Sequence, residues 1–295
     1  MHRFSAFRNA HPLVNFILFG LILALTVCVD HPIIRALSAF CGAAYYFFLS
    51  QNALRFTLRV VLPLSLLTAI LNPAFNHRGA TILTYFPSGN PLTAESLIYG
   101  AFAGVLLAAS LFWFACLSDI MTTDKFVYLF GRILPSLGLL LSMAIRFVPL
   151  FHRKLREAAD AQKVLGGRDR RLTARIRDAL SAFSMVVTWS LENAAQTADS
   201  MKGRGYGLRG RTFFSVYRFS AADAFLLCVS VALGAAVILG AAFGLLDWLY
   251  YPRFISDSAP LTAGLLSAVF CMLCLLPLSF DLAEVLLWKR SERKI

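Results

Sequence analysis

Six long apolar runs, 13–29, 33–50, 56–71, 96–118, 221–246 and 260–282, decide what this chain can fold into. A helix crossing a bilayer needs about 20 mostly apolar residues, since hydrocarbon satisfies no stray backbone group. The runs predict an all-α, polytopic membrane protein. Composition agrees: 58% of residues are hydrophobic and 15% charged, against roughly 45–50% and about 25% in soluble domains. Both a water-soluble protein and a disordered chain are thereby disfavoured. The first run is uncharged, and a second run begins just after it at Pro32, so it reads as a span rather than a cleaved signal. The third is the weakest, with Arg55 and Arg59 near its start and Pro63 inside. Arginines at a helix end can snorkel to the headgroups.

Six spans place both termini on one side of the membrane. With the amino terminus inside, 25 of the 28 Lys and Arg fall inside, leaving only Arg35, Arg78 and Arg253 outside. The positive-inside rule therefore predicts cytoplasmic termini in the plasma membrane. The predicted organisation is 1–118 for spans one to four, 119–220 for a large cytoplasmic insertion, and 221–295 for spans five and six with a basic tail.

The insertion carries most of the net charge of +12. In 176–201 the apolar residues Ile176, Leu180, Phe183, Val187, Leu191, Ala194, Ala198 and Met201 recur in steps of three and four, the stripe of an amphipathic helix. That helix stops at Gly203-Arg204-Gly205-Tyr206-Gly207, where alternate glycines permit a sharply turned tip. A second helix spans about 136–165, with a kink expected at Pro149. It starts apolar, turns charged after Arg153 and ends at Gly166 and Gly167. Arg146, between Ile145 and Phe147, is expected to be buried. A basic face lying on anionic headgroups is the competing reading of this charge. Nucleic acid is disfavoured, because no binding motif accompanies the charge.

Catalytic signals are missing from the sequence. There is no G-x-x-x-x-G-K-[ST] phosphate loop. The five histidines show no metal-ligand spacing, and Cys271-Met-Leu-Cys274 sits in an apolar run where two small core residues are the better reading. No ionisable residue is expected deep in the runs, Arg59 coming closest. These observations predict no enzyme activity, no cofactor and no metal of its own.

Four stretches resemble a known family: Asn72-Pro-Ala-Phe-Asn-His-Arg-Gly79, Met121-Thr-Thr-Asp-Lys-Phe-Val-Tyr-Leu-Phe-Gly-Arg132, Leu141-Ser-Met-Ala-Ile-Arg-Phe-Val-Pro149 and Thr197-Ala-Asp-Ser-Met-Lys-Gly-Arg-Gly-Tyr-Gly207. Over nearly its whole length the chain resembles the transmembrane T component of energy-coupling factor (ECF) transporters, the micronutrient importers among ABC transporters. The last stretch is similar to the family's second Ala-Arg-Gly motif, with Gly203 in place of Ala. The first such motif would fall at Val164-Leu165-Gly166, where Leu165 replaces its arginine and Arg168 lies close by. The resemblance implies that Gly203, Arg204, Gly205 and Tyr206, and likewise Val164, Leu165 and Gly166, dock onto two cytoplasmic ABC ATPases. Arg146 would then serve as a structural or coupling arginine. It further implies a separate membrane-embedded S component that captures the vitamin or metal ion. A conventional ABC permease subunit and a membrane scaffold without transport remain the alternatives.

Overall fold

The computed structural model describes residues 7–76, 79–85, 91–133, 135–165, 172–206, 208, 217–249, 255–256 and 260–292. The chain divides into two compact units, Met1–Thr123 with Tyr217–Ile295, and Asp124–Val216.

The first unit holds α1 (Pro12–Cys28), α2 (Pro32–Leu49), α3 (Ala53–Phe56), α4 (Leu62–Phe75) and α5 (Ala94–Ile120). The second holds α6 (Thr123–Ile133), which begins at the boundary, α7 (Pro135–Leu165) and α8 (Leu172–Gly203). The chain then returns to the first unit with α9 (Ala221–Ala242) and α10 (Pro260–Glu292). Two short antiparallel hairpins, β1 (Ile82–Tyr85) with β2 (Pro91–Thr93) and β3 (Trp248–Leu249) with β4 (Ile255–Ser256), close connections between helices.

Local chemistry sets the helix starts. Pro12 and Pro32 occupy the first turns of α1 and α2, where a missing N–H costs nothing. Ser220 and Asp223 form a reciprocal capping box on α9. Between α3 and α4, Thr57–Val61 is a π-helical turn in which the Leu62 N–H donates to the Thr57 carbonyl, five residues back. It directly precedes Pro63, which has no N–H to offer Arg59. The three pieces run on as one helix, Ala53–Phe75.

Among the described residues, five helices of 18 residues or more are apolar enough to cross a membrane: Pro32–Leu49, Ala53–Phe75, Ala94–Ile120, Ala221–Ala242 and Pro260–Ala283. The protein is multi-pass. The remaining apolar run forms α1, an apolar helix of 17 residues, about 25 Å long and at the short end of what can cross a bilayer. Pro32 shortens it, because the residue before a proline is pushed out of helical geometry.

Within this unit α5 packs against α2 and α4, α1 against α5 and α9, and α10 against α2 and α9. At its centre the rings of Phe19, Tyr45 and Trp113 lie 6.0–6.5 Å apart. Gly42 makes room, since a Cβ there would sit 3.1 Å from the Trp113 indole nitrogen. The polar groups of this core are chained together. Trp113 N–H donates to Ser38 Oγ (3.0 Å), Ser38 and Thr26 share a hydrogen bond of 2.7 Å, and Thr26 donates to the Ile22 carbonyl (2.8 Å). A hydrogen bond left unmade here would cost the full desolvation of its group.

Two carboxylates tie the amino-terminal segment to the last two helices. Asp281 of α10 accepts from the Phe7 N–H (2.8 Å) and the Tyr45 hydroxyl (3.0 Å). Asp223 of α9 accepts from the His11 N–H (3.1 Å) while capping its own helix. Asp281 is 1% exposed, and Arg35, paired with Asp30 in the first turn of α2, is 4% exposed. Both lie at the ends of their runs, 33–50 and 260–282, where the sequence gives no sign that the fold buries them. Buried charges are tolerated where partners satisfy them, and those of Asp281 come from remote parts of the chain.

Candidate functional site

The carboxyl end of α8 is built by its glycines. Gly205 has φ +74°, the left-handed region. Its N–H donates to the Lys202 carbonyl (3.0 Å), and the Tyr206 N–H donates to the Met201 carbonyl (3.1 Å). This pair of bonds around a left-handed glycine is the Schellman cap, which satisfies carbonyls that a helix end leaves open. Arg204 thereby becomes the capping residue itself, its N–H donating to the carbonyls of Ser200 (3.1 Å) and Met201 (3.2 Å). Its side chain is exposed and, among the described residues, enters no ion pair or hydrogen bond. Around it the tip is open: a Cβ on Gly203 would meet nothing within 4 Å, and Leu208 is 71% exposed. Tyr206 is partly exposed at the same tip.

The end of α7 differs. Val164 is 87% exposed, an apolar knob where the other tip carries a cation. Leu165 is the last helical residue; Gly166 and Arg168 lie outside the described residues. The cations of the charged half of α7 are engaged locally. Lys154 and Arg153 reach Glu157 (2.7 and 3.7 Å), and Lys163 reaches Asp160 (2.8 Å). Lys154 beside it holds the Glu157 carboxyl below the usual carboxylate range. Among the described residues Arg204 has no such partner, which separates it from the solvated face of a charged helix.

The two helices run antiparallel. The rings of Phe151 and Trp189 meet edge-on at 6.1 Å, Lys154 stands 5.6 Å above the Trp189 ring, and Gln162 donates to Ser181 Oγ (3.1 Å). The end of α7 therefore lies beside the early part of α8, and the structure does not bring the two tips together. From Ser181 to Arg204 the helix advances about 35 Å. The two tips therefore lie at opposite ends of one hairpin.

Arg146 is exposed on α7, which corrects the expectation of burial. Neighbours at i±1 lie on other faces of a helix, so Ile145 and Phe147 do not enclose it. The helix also passes through Pro149 without a break. The apolar stripe of α8 is present but largely uncovered by this chain, with Ile176, Leu180, Phe183 and Leu191 each more than half exposed. Between the helices an open apolar groove of about 380 Å³ is lined by Val148, Phe151, Leu155, Phe183, Val186 and Val187. Two further features escaped the sequence reading. One is the pair of anchoring carboxylates, Asp223 and Asp281. The other is the Gly100-Ala-Phe-Ala-Gly104 spacing on α5, a small-xxx-small signal that was available. Among the described residues no group of three His, Cys, Asp or Glu could hold a metal ion.

One family profile, described as CbiQ, cobalt transport protein, matches residues 5–213. The matched stretch begins ahead of α1 and ends beyond the glycine tip of α8. No curated protein matches the chain.

Proposed function

The chain belongs to the CbiQ family, the transmembrane T components of ECF and cobalt transport systems, and on that premise we propose that it couples two ATPases to a separate substrate-capturing subunit. It is a transport component and not an enzyme. In this reading the tips of α7 and α8 each dock onto one cytoplasmic ABC ATPase. Movement of the ATPases during ATP binding and hydrolysis tilts the helical rods, and the rods reorient a membrane-embedded S component. The exposed apolar stripe of α8 is the surface left for that component or for the bilayer. The family description points to a transition-metal cargo, cobalt, with a vitamin as the alternative.

The observation that carries the proposal is Arg204: a guanidinium with no partner among the described residues, on a left-handed glycine cap at the end of a 32-residue helix. A charge-assisted, bidentate pair with a carboxylate in an ATPase groove suits it. Co-purification tests the reading. With two candidate ABC ATPases and an S component co-expressed, a tagged chain should retain both ATPases, and the purified chain alone should hydrolyse no ATP. ATP hydrolysis by the isolated chain, or failure to retain any ATPase, overturns it.

Orientation is tested separately. Both termini and the Asp124–Val216 unit are proposed to face the cytoplasm, from the distribution of Lys and Arg. In a background lacking the native cysteines, Ser256→Cys should react with an impermeant thiol reagent in intact cells and Ser181→Cys should not. The reverse pattern would invert the topology.

A further inference from the structure

The third span carries two charges that, among the described residues, nothing neutralises. Arg55 and Arg59 are exposed and, among the described residues, make no ion pair or hydrogen bond. Asp30, the carboxylate engaged at the start of α2, is taken by Arg35. The span Ala53–Phe75 is the least covered of the five, with 6% of its apolar window buried. Leu54, Leu58, Leu62 and Leu66 are 49–61% exposed around the arginines. An unpaired guanidinium amid exposed leucines on a membrane helix must find an anion at the headgroup level. Depth permits this: Arg59 lies about 9 Å along the axis from Ala53, within reach of a side chain that snorkels. The two residues are four apart, about one turn, so their heads converge on one place.

We propose that Arg55 and Arg59 clamp the phosphate of an anionic phospholipid, anchoring the third span at one membrane interface. Phosphate is the anion present at that depth, and guanidinium binds it bidentately. The surrounding leucines match acyl chains, which favours a lipid over an acidic side chain of a protein partner.

The test uses the full-length chain extracted from vesicles of equal parts phosphatidylcholine and phosphatidylglycerol, with retained lipid counted by native mass spectrometry. The wild-type chain should keep phosphatidylglycerol selectively. Arg55→Gln with Arg59→Gln should lower that retention by roughly tenfold or more. Arg153→Gln with Lys163→Gln, the same loss of charge on α7, should leave it unchanged. Excess inorganic phosphate should not displace the lipid; displacement would assign the site to a free anion and overturn the proposal. Arg55→Lys with Arg59→Lys keeps the charge and the span, and should show a partial loss of selectivity, so the comparison survives if the glutamine variant fails to fold. Retention unchanged in both the glutamine and lysine variants overturns the clamp. So does a loss of partner-protein association with lipid retention intact, which would assign the arginines to a protein contact.

Discussion

Arg204→Ala is expected to weaken association of the chain with its ATPases by roughly tenfold or more. The tip holds the guanidinium outside the helix, on the capping residue, and among the described residues no carboxylate pairs with it. Docked against an acidic groove, the pair would be desolvated. Removing one member of such a pair costs about 2–5 kcal/mol, much of it from the charge stranded on the partner. Arg204→Lys should restore only part of the affinity, because an ammonium lacks the planar fork. Gly205→Ala makes the useful contrast. Its left-handed φ of +74° disfavours a side chain, and a Cβ there would stand 3.1 Å from Leu208. That change should cost about 1 kcal/mol by loosening the cap and so act on the tip without touching its charge. High salt should therefore weaken the wild-type complex and the Gly205→Ala complex alike, while the Arg204→Ala complex responds less. The measurement is a pull-down titration of the ATPases at matched expression. If Arg204→Ala leaves association and uptake at the wild-type level, the tip rests on headgroups and the docking proposal fails.

What the sequence made legible was local. The end of α8 at Gly203 follows from three alternate glycines, and the limits of α7 from an apolar half followed by a charged half. Each of the six apolar runs coincides with a helix because desolvation of the backbone leaves no other solution. The missing parts are contacts between residues remote in sequence. Nothing in the sequence marks Asp281, and only the fold brings it Phe7 and Tyr45, partners 274 and 236 residues away. Trp113 and Ser38 are likewise 75 residues apart. Arg146 shows the opposite error, in which apolar neighbours along the chain were taken for neighbours in space. The first run is held to 17 helical residues between Pro12 and Pro32, which makes α1 the shortest of the apolar helices that the six runs form.

Gly104→Leu is expected to detach the third span from the rest of the first unit. In lipid no hydrophobic force holds one apolar helix to another, so close backbone packing has to do it. Here α4 packs chiefly on α5. A Cβ on Gly104 would lie 2.6 Å from the Ser65 carbonyl oxygen, and one on Gly100 would lie 2.7 Å from that of Ala69 and 2.9 Å from the Pro73 ring. Ser65, Ala69 and Pro73 step by four along α4, as Gly100 and Gly104 do along α5, so the two ridges meet backbone to backbone. Such an approach places Cα–H groups against carbonyls, a weak bond that only glycine allows this close. Even Gly104→Ala must push a main chain aside, because the obstructing atom is backbone rather than a flexible side-chain end. Overpacking of that kind costs about 1–3 kcal/mol, and leucine should cost more. Gly20 and Gly264 provide the control, since a Cβ at either would meet nothing within 4 Å. Alanine at those two positions should be neutral or stabilising by up to about 1 kcal/mol through helix propensity. Thermal unfolding in detergent reads the stability difference, and a cysteine at Ala69 reads the interface itself by its reactivity. The opposite signs are the decisive feature: if Gly104→Ala and Gly20→Ala shift stability equally, the glycines of α5 are not what holds the third span.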